Sequence, residues 1–230
     1  MSSLLSDFLS LFFPPTCEIC NNSLGKNDYL ICTDCLGHLP YTQWHKNENN
    51  PLHAVFWGKI DLKGVTALFY FHNDSRVQKL MHKFKYKGTK ELGFYLGKRY
   101  GSQLKNAEPF NTIDLIIPVP LHPDKMKKRG YNQSEQFANG LGQSMDVMVT
   151  TNNLYRKIAS ETQTLKTKIE RWENVKDIFA VAHPEYLAGK HILLVDDVIT
   201  TGSTLESCAR VLLEIPEVSL SVAAIAAAHK

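Results

Sequence analysis

Two rhythms of apolar residues divide this chain. Short, nearly unbroken apolar runs at Val65–His72, Ile113–Val119, Ile192–Val195 and Leu220–Ala227 have the length of buried parallel strands. Leu154-Tyr155 reads as a further short strand. Between these runs the period changes to three and four residues. Val77, Leu80, Met81 and Phe84 predict a helix over Asp74–Tyr86, and Leu92, Tyr95 and Leu96 predict one over Glu91–Lys105. Two more are predicted over Glu135–Met145 and Leu205–Glu214, the latter burying Cys208, Ala209, Leu212 and Leu213. Strands alternating with helices predict an α/β domain, a parallel sheet covered by helices on both faces. Ligands of such sheets bind at the carboxyl ends of the strands.

Ahead of this pattern the chain reads differently. Leu4, Leu5, Phe8, Leu9, Leu11, Phe12 and Phe13 form a short apolar helix pattern ending at Pro14-Pro15. It lacks the basic start and small-residue finish of a secretory signal. It suits a helix packed on the rest of the protein, or an anchor for a partner or membrane surface. Cys17-x2-Cys20 and Cys32-x2-Cys35 follow, eleven residues apart, with the ligand count and spacing of a tetrahedral structural zinc site. Two disulfides are the competing reading, without an oxidising context to support them. Four thiolates leave no open coordination position, so the Zn²⁺ is expected to be structural. Residues 45–51, His-Lys-Asn-Glu-Asn-Asn-Pro, read as a linker. The division is therefore an apolar helix and four-cysteine module at 1–45 and a larger α/β domain at 52–230.

Composition adds little. Charged residues make up 21% and hydrophobic ones 43%, ordinary globular figures, and a net charge of +3 does not by itself imply nucleic acid. No run reaches the ~20 apolar residues of a membrane span, so a cytoplasmic protein is expected, at most peripheral at the inner membrane. The charge is uneven, however. Between Arg76 and Lys105 nine cations face Glu91 alone, with Phe84, Tyr86, Phe94, Tyr95 and Tyr100 interleaved. Lys79, Lys83, Lys85 and Lys87 could then track the phosphates of single-stranded DNA while rings stack on bases. The plainer reading makes the aromatics core and the lysines solvated.

The chemistry concentrates after the third strand. Asp196 and Asp197 stand at its end, followed by Thr200, Thr201, Gly202, Ser203 and Thr204, and then by a helix. N–H groups at a helix start favour an anion, Gly202 allows close backbone approach, and the hydroxyls can donate to phosphate. The carboxylates suit a ligand that also brings hydroxyl donors or a divalent metal. Val195-Asp-Asp-Val-Ile-Thr-Thr-Gly-Ser-Thr204 resembles the phosphoribosyl pyrophosphate (PRPP) loop of type I phosphoribosyltransferases. The resemblance implies that Asp196 and Asp197 hold the ribose hydroxyls and Thr200–Thr204 the 5′-phosphate. The Pro118-Val119-Pro120 turn falls where that family holds pyrophosphate.

Pro118-Val-Pro-Leu-His122 with Arg129-Gly-Tyr-Asn-Gln133, and Thr162, Leu165, Arg171, Asn174 and Phe179 downstream, are similar to the ComF/GntX group of phosphoribosyltransferase-like proteins. That group usually carries an N-terminal four-cysteine module and is associated with DNA uptake in competence. The resemblance implies a Mg²⁺-dependent transfer of phosphoribose from PRPP, with Asp196, Asp197 and Arg129 at the reacting centre and Val119 and Pro120 on the ligand. Thr200 stands where purine-salvage members carry an acidic base, which makes a purine acceptor less expected. With the last strand ending close to Lys230, the cover over the acceptor is expected from upstream, from the cysteine module or from Asn152–Asn174 with Lys166, Lys168 and Arg171. The alternative is a PRPP-binding accessory protein that handles single-stranded DNA in transformation or repair, contacting the competence machinery or the membrane through its N-terminal helix. Neither the acceptor nor the oligomeric state is readable from the sequence.

Overall fold

The computed structural model describes residues 14–73, 75–157 and 178–228. The apolar pattern at residues 4–13, the 158–177 part of the expected cover with Lys166, Lys168 and Arg171, and Thr162, Leu165 and Asn174 lie outside them.

Five parallel strands make the central sheet. They are β1 (Gly64–Tyr70), β2 (Leu115–Pro118), β3 (Met148–Val149), β6 (His191–Ile199) and β7 (Ser219–Ala227), in the spatial order β1-β7-β6-β2-β3. A separate antiparallel pair joins β4 (Leu154–Arg156) to β5 (Phe179–Val181). The helices are α1 (Thr33–Gly37), α2 (Arg76–Tyr86), α3 (Lys90–Leu104), α4 (Pro123–Arg129), α5 (Gln133–Met145) and α6 (Ser203–Leu213).

Period-two side-chain alternation sorts the strands onto two cores. Leu193, Val195, Ala223 and Ile225 face the buried cluster of α2, α3 and α5. Ile192, Leu194, Val222 and Ala224 face the cluster of α6 and the segment around Trp44, Leu52 and Phe56. Both faces of the sheet are thus covered, as the strand–helix alternation predicts. The small side chains of Ala223, Ala224, Ala226 and Ala227 are all buried in β7, which pairs with β1 on one side and β6 on the other.

Three details differ from the sequence reading. β6 does not stop at Val195: pairing with β7 continues through Asp196↔Ala224 to Ile199↔Ala227. The acidic pair therefore sits within the ladder, held by its backbone. The lysine-rich stretch after His122, to which the sequence reading assigned no helix, contains α4. His122 caps it through Nδ1, which accepts from Asp124 N–H at 3.2 Å, and Pro123 occupies its first turn. The stretch 45–51, read as a linker, is tied down. Buried Asn50 donates Nδ2 to the carbonyls of Val65 at 2.8 Å and Asn47 at 3.1 Å, and its Oδ1 accepts from Leu52 N–H at 3.0 Å. The side-chain amide thus satisfies backbone groups that burial would otherwise leave unpaired.

The cysteine segment shares its buried cluster with the helices. Cys17, Ile19, Ile31, Cys35 and Leu39 belong to the same core as Leu80, Phe84 and Leu92. Helices α3 and α5 cross at close range. A Cβ on Gly97 would lie 2.2 Å from Phe137 O, and one on Gly140 would lie 2.1 Å from Phe94 O. Backbone meets backbone there, which only glycine permits.

Candidate functional site

Adjacent strands β2 and β6 bring the two segments singled out in the sequence together at their carboxyl ends. Pro118 pairs with Val195, and the next residue, Val119, donates its N–H to Val195 O at 2.8 Å. Val119 is buried and Pro120 half-buried, beside the strand that carries Asp196 and Asp197. Asn132 locks this turn to α5: its Nδ2 donates to Val119 O at 2.9 Å, while its Oδ1 caps the helix by accepting from Ser134 N–H at 3.1 Å.

The acidic pair is held unsymmetrically. Asp196 Oδ1 accepts from Ser134 Oγ at 3.0 Å and from Asp197 N–H at 2.8 Å. Asp197 Oδ2 pairs with Lys85 Nζ at 2.9 Å. Burial, reinforced by the Asp197 charge, pushes the Asp196 carboxyl up to about 7, against the pull of its two hydrogen bonds and of Lys85. The site therefore contains a carboxyl poised to change charge near neutrality.

The Thr200–Thr204 turn lies at the strand's end, with Thr200, Thr201, Ser203 and Thr204 exposed and Gly202 buried. Gly202 is left-handed, φ 74°, at the N-cap of α6, where it offers no side-chain acceptor to the first helical N–H groups. An anion can take that role. Thr201 and Ser203 hydroxyls lie 3.1 Å apart. A small hollow of about 30 Å³ is lined by Asp196, Val198, Ile199 and the turn.

Arg129, at the end of α4, donates Nη1–H to Gln133 Oε1 at 2.8 Å and stacks over the Tyr86 ring at 5.6 Å. Lys128 lies 5.7 Å from the same ring. Gln133 is 1% exposed; among the described residues its Nε2 makes no hydrogen bond of ordinary geometry, and its side chain neighbours the Tyr131 hydroxyl. Tyr131 donates its hydroxyl to Phe84 O, tying the α4–α5 junction to α2.

The four lysines assigned to nucleic acid separate into two kinds. Lys79 and Lys87 are exposed. Lys83 instead pairs with Glu18 at 3.4 Å and donates to Asn21 Oδ1 at 2.8 Å, and Lys85 is on Asp197. Of the interleaved aromatics, Phe84 and Tyr100 are core. Two of the four cations thus already have acidic partners within the protein.

Cys17, Cys20, Cys32 and Cys35 come together with all four Sγ atoms within 4.8 Å of one another, and none forms a disulfide. Cys20 and Cys32 Sγ are 3.8 Å apart. A tetrahedron with ~2.3 Å metal–sulfur bonds has an edge of ~3.8 Å, so this spacing fits a thiolate-bound metal. Backbone N–H groups of Ile19 and Cys32 donate to Cys17 Sγ, both at 3.4 Å, and that of Cys35 to Cys32 Sγ at 3.4 Å. Burial opposes ionisation of Cys17, but the N–H donors outweigh it and bring the thiol down to about 7. The donor set suits a resident metal such as zinc.

Sequence reasoning gave no role to 51–59. Val55 and Phe56 pack on the phosphate-type turn so closely that a Cβ on Gly202 would lie 2.7 and 2.8 Å from them. Phe56 and the exposed Trp57 also line an open hollow of about 890 Å³ formed by residues 49–62. Ser134 and Asn132 were likewise given no role of their own, although Asn132 lies in the Arg129–Gln133 motif and at a recognisable helix-cap position.

A five-stranded parallel sheet, an acidic pair on its central strand and a glycine turn opening a helix are the parts of a phosphoribosyltransferase domain. The phosphoribosyl transferase domain family matches residues 110–230, more than half of the chain, and the chain belongs to that family. Narrower relatives follow the ComF pattern. DNA utilization protein YhgH of Escherichia coli O157:H7 is 27% identical over 201 residues, 86% of this chain and 83% of that protein. Competence protein F of Haemophilus influenzae is 27% identical over 203 residues, 86% and 84% of the two chains. Competence protein ComFC of Bacillus subtilis is 29% identical over 146 residues, 63% and 56%. The ComF resemblance carried by the motifs thus extends over most of the chain. No helix among the described residues is long and apolar enough to cross a membrane.

Proposed function

We propose that this protein binds PRPP with Mg²⁺ at the β2–β6 strand ends and acts as a ComF-type phosphoribosyltransferase in DNA uptake. The observation that carries this reading is the meeting of Val119-Pro120, Asp196-Asp197 and Thr200–Thr204 at one edge of the sheet. In this reading Asp196 and Asp197 accept hydrogen bonds from the ribose hydroxyls, and the exposed hydroxyls of the turn with the α6 N–H groups hold the 5′-phosphate. Val119 and Pro120 line the pyrophosphate side. Arg129, flanked by Gln133, supplies positive charge towards the departing pyrophosphate. Mg²⁺, arriving with PRPP, would neutralise phosphate charge as the bond to the ribose C1 breaks. Zn²⁺ on the four cysteines keeps the N-terminal segment folded and takes no part in the chemistry.

Calorimetry with PRPP and Mg²⁺ tests the site. Wild type should bind, and the double variant Asp196→Asn, Asp197→Asn should lose at least tenfold in affinity, about 1.4 kcal/mol. Equal affinity in the two proteins would overturn the assignment. Pyrophosphate release across nucleobases, ammonia and single-stranded DNA then separates a transferase from a PRPP-binding accessory protein. The names of the relatives support DNA handling, and exposed Lys79 and Lys87 remain available for it. If reversing those two lysines to Glu leaves DNA affinity and its salt slope unchanged, this face does not carry DNA.

A further inference from the structure

The Lys85–Asp197 pair sits on a closed circuit of contacts around the acidic edge. Lys85 reaches Asp197; its chain neighbour Tyr86 underlies Arg129; Arg129 bonds Gln133; and Ser134, next to Gln133, bonds Asp196 beside Asp197. Three elements distant in sequence thus converge at the end of α2. The side chains of Lys85 and Asp197 are 23% and 15% exposed, sheltered enough for their charges to matter and open enough to exchange partners with a solute. A PRPP-like ligand brings hydroxyl donors and strong negative charge together. Lys85 engages Oδ2 of Asp197, a ribose hydroxyl taking the same carboxylate weakens that pair, and two bare carboxylates would repel the phosphates. Lysine, a point charge on a flexible four-carbon stem, can follow whichever anion is stronger.

We propose that Lys85 is an exchangeable cation of the ligand site: it neutralises Asp197 in the free protein and turns to the pyrophosphate of the incoming ligand when a ribose hydroxyl takes Asp197. This rests on the PRPP reading and adds to it a residue from outside the β2 and β6 loops. It also moves Lys85 from a DNA-facing role to the small-molecule site.

Dissecting the ligand tests it. Affinities of wild type, Lys85→Met and Lys85→Arg are measured by calorimetry with Mg²⁺ for PRPP, inorganic pyrophosphate and ribose 5-phosphate. Lys85→Met should weaken PRPP and pyrophosphate at least tenfold and leave ribose 5-phosphate within about twofold, while Lys85→Arg recovers most of the loss. Unchanged or tighter PRPP binding by Lys85→Met would make the lysine a mere plug and overturn the proposal. Equal losses on all three ligands would assign it a structural role and overturn it too. If Lys85→Met does not fold, Lys85→Gln replaces it in the same comparison. Failure of wild type to bind any of the three ligands would remove the PRPP reading itself, and the proposal with it.

Discussion

Replacing Asp196 by Asn is expected to strengthen the fold while it damages the ligand site. In the wild type this carboxyl is pushed up from 3.8 to about 7 by burial and by the Asp197 charge. Above that pH the protein carries a sheltered charge that the unfolded chain would solvate freely. The amide removes the charge and keeps both local bonds, because Asn Oδ1 can still accept from Ser134 Oγ and Asp197 N–H, now at 3.0 and 2.8 Å from Asp196 Oδ1. The gap between 3.8 and about 7 corresponds to about 4 kcal/mol at ~1.4 kcal/mol per tenfold change in affinity for the proton. Solvent at this half-open edge lowers that to about 2 kcal/mol, or roughly 4–8 °C in Tm for a chain of this size. The sign follows from proton counts. Between about pH 4 and about pH 7 the folded wild type binds the proton more tightly than the unfolded chain, so its stability falls as pH rises through that window. The variant has no such loss. Thermal and urea melts of both proteins between about pH 5 and about pH 8 should show an advantage for Asp196→Asn that grows with pH and levels off above 7. An advantage that does not change with pH, or a variant less stable at pH 8, would refute the electrostatic account.

Gly202→Ala should lower the urea midpoint by an amount equivalent to about 2 kcal/mol or more. The left-handed backbone at φ 74° costs a side chain ~1 kcal/mol, and the new Cβ would collide with Val55 and Phe56; a midpoint unchanged from wild type would show that the 51–59 segment yields freely. Elemental analysis should find one zinc per chain, and Cys20→Ser should lose it along with stability. Cys20 is exposed, so little packing goes with it, and chelator should bring wild type down to the variant's Tm. A chelator-insensitive wild type would argue against a structural metal.

Much of the architecture was legible because its signals are local. Buried runs such as Ile192–Val195 and helical periods such as Val77, Leu80, Met81 and Phe84 need no distant partner to be recognised. The strand order was not legible. That β7, last in sequence, lies between β1 and β6 is decided by pairing across the whole chain. α4 escaped for a related reason: it buries no residue, so no apolar period marks it, and only its cap and Pro123 signal its start. At the site, the acidic pair and the glycine turn were visible as a contiguous motif. Ser134 and Lys85 were not, since each reaches the acidic pair from an element far away in sequence. The lysines at 79–87 looked alike as a run of charge. What separates them is which ones meet Glu18 or Asp197, and that is a property of tertiary structure alone.

The crossing of α3 over α5 has a consequence for how the site is kept in tolerance. A helix pair separated by side chains has a compressible layer, and rotamer changes can absorb small errors of alignment. At Gly97 and Gly140 that layer is missing, so the two peptide backbones form a bearing without play. Asn132, Gln133 and Ser134 hang from the near end of α5, and through them the position of the β2 turn and of Asp196 is gauged against α3. Drift at these two glycines would therefore be carried along a stiff lever to groups that never touch them.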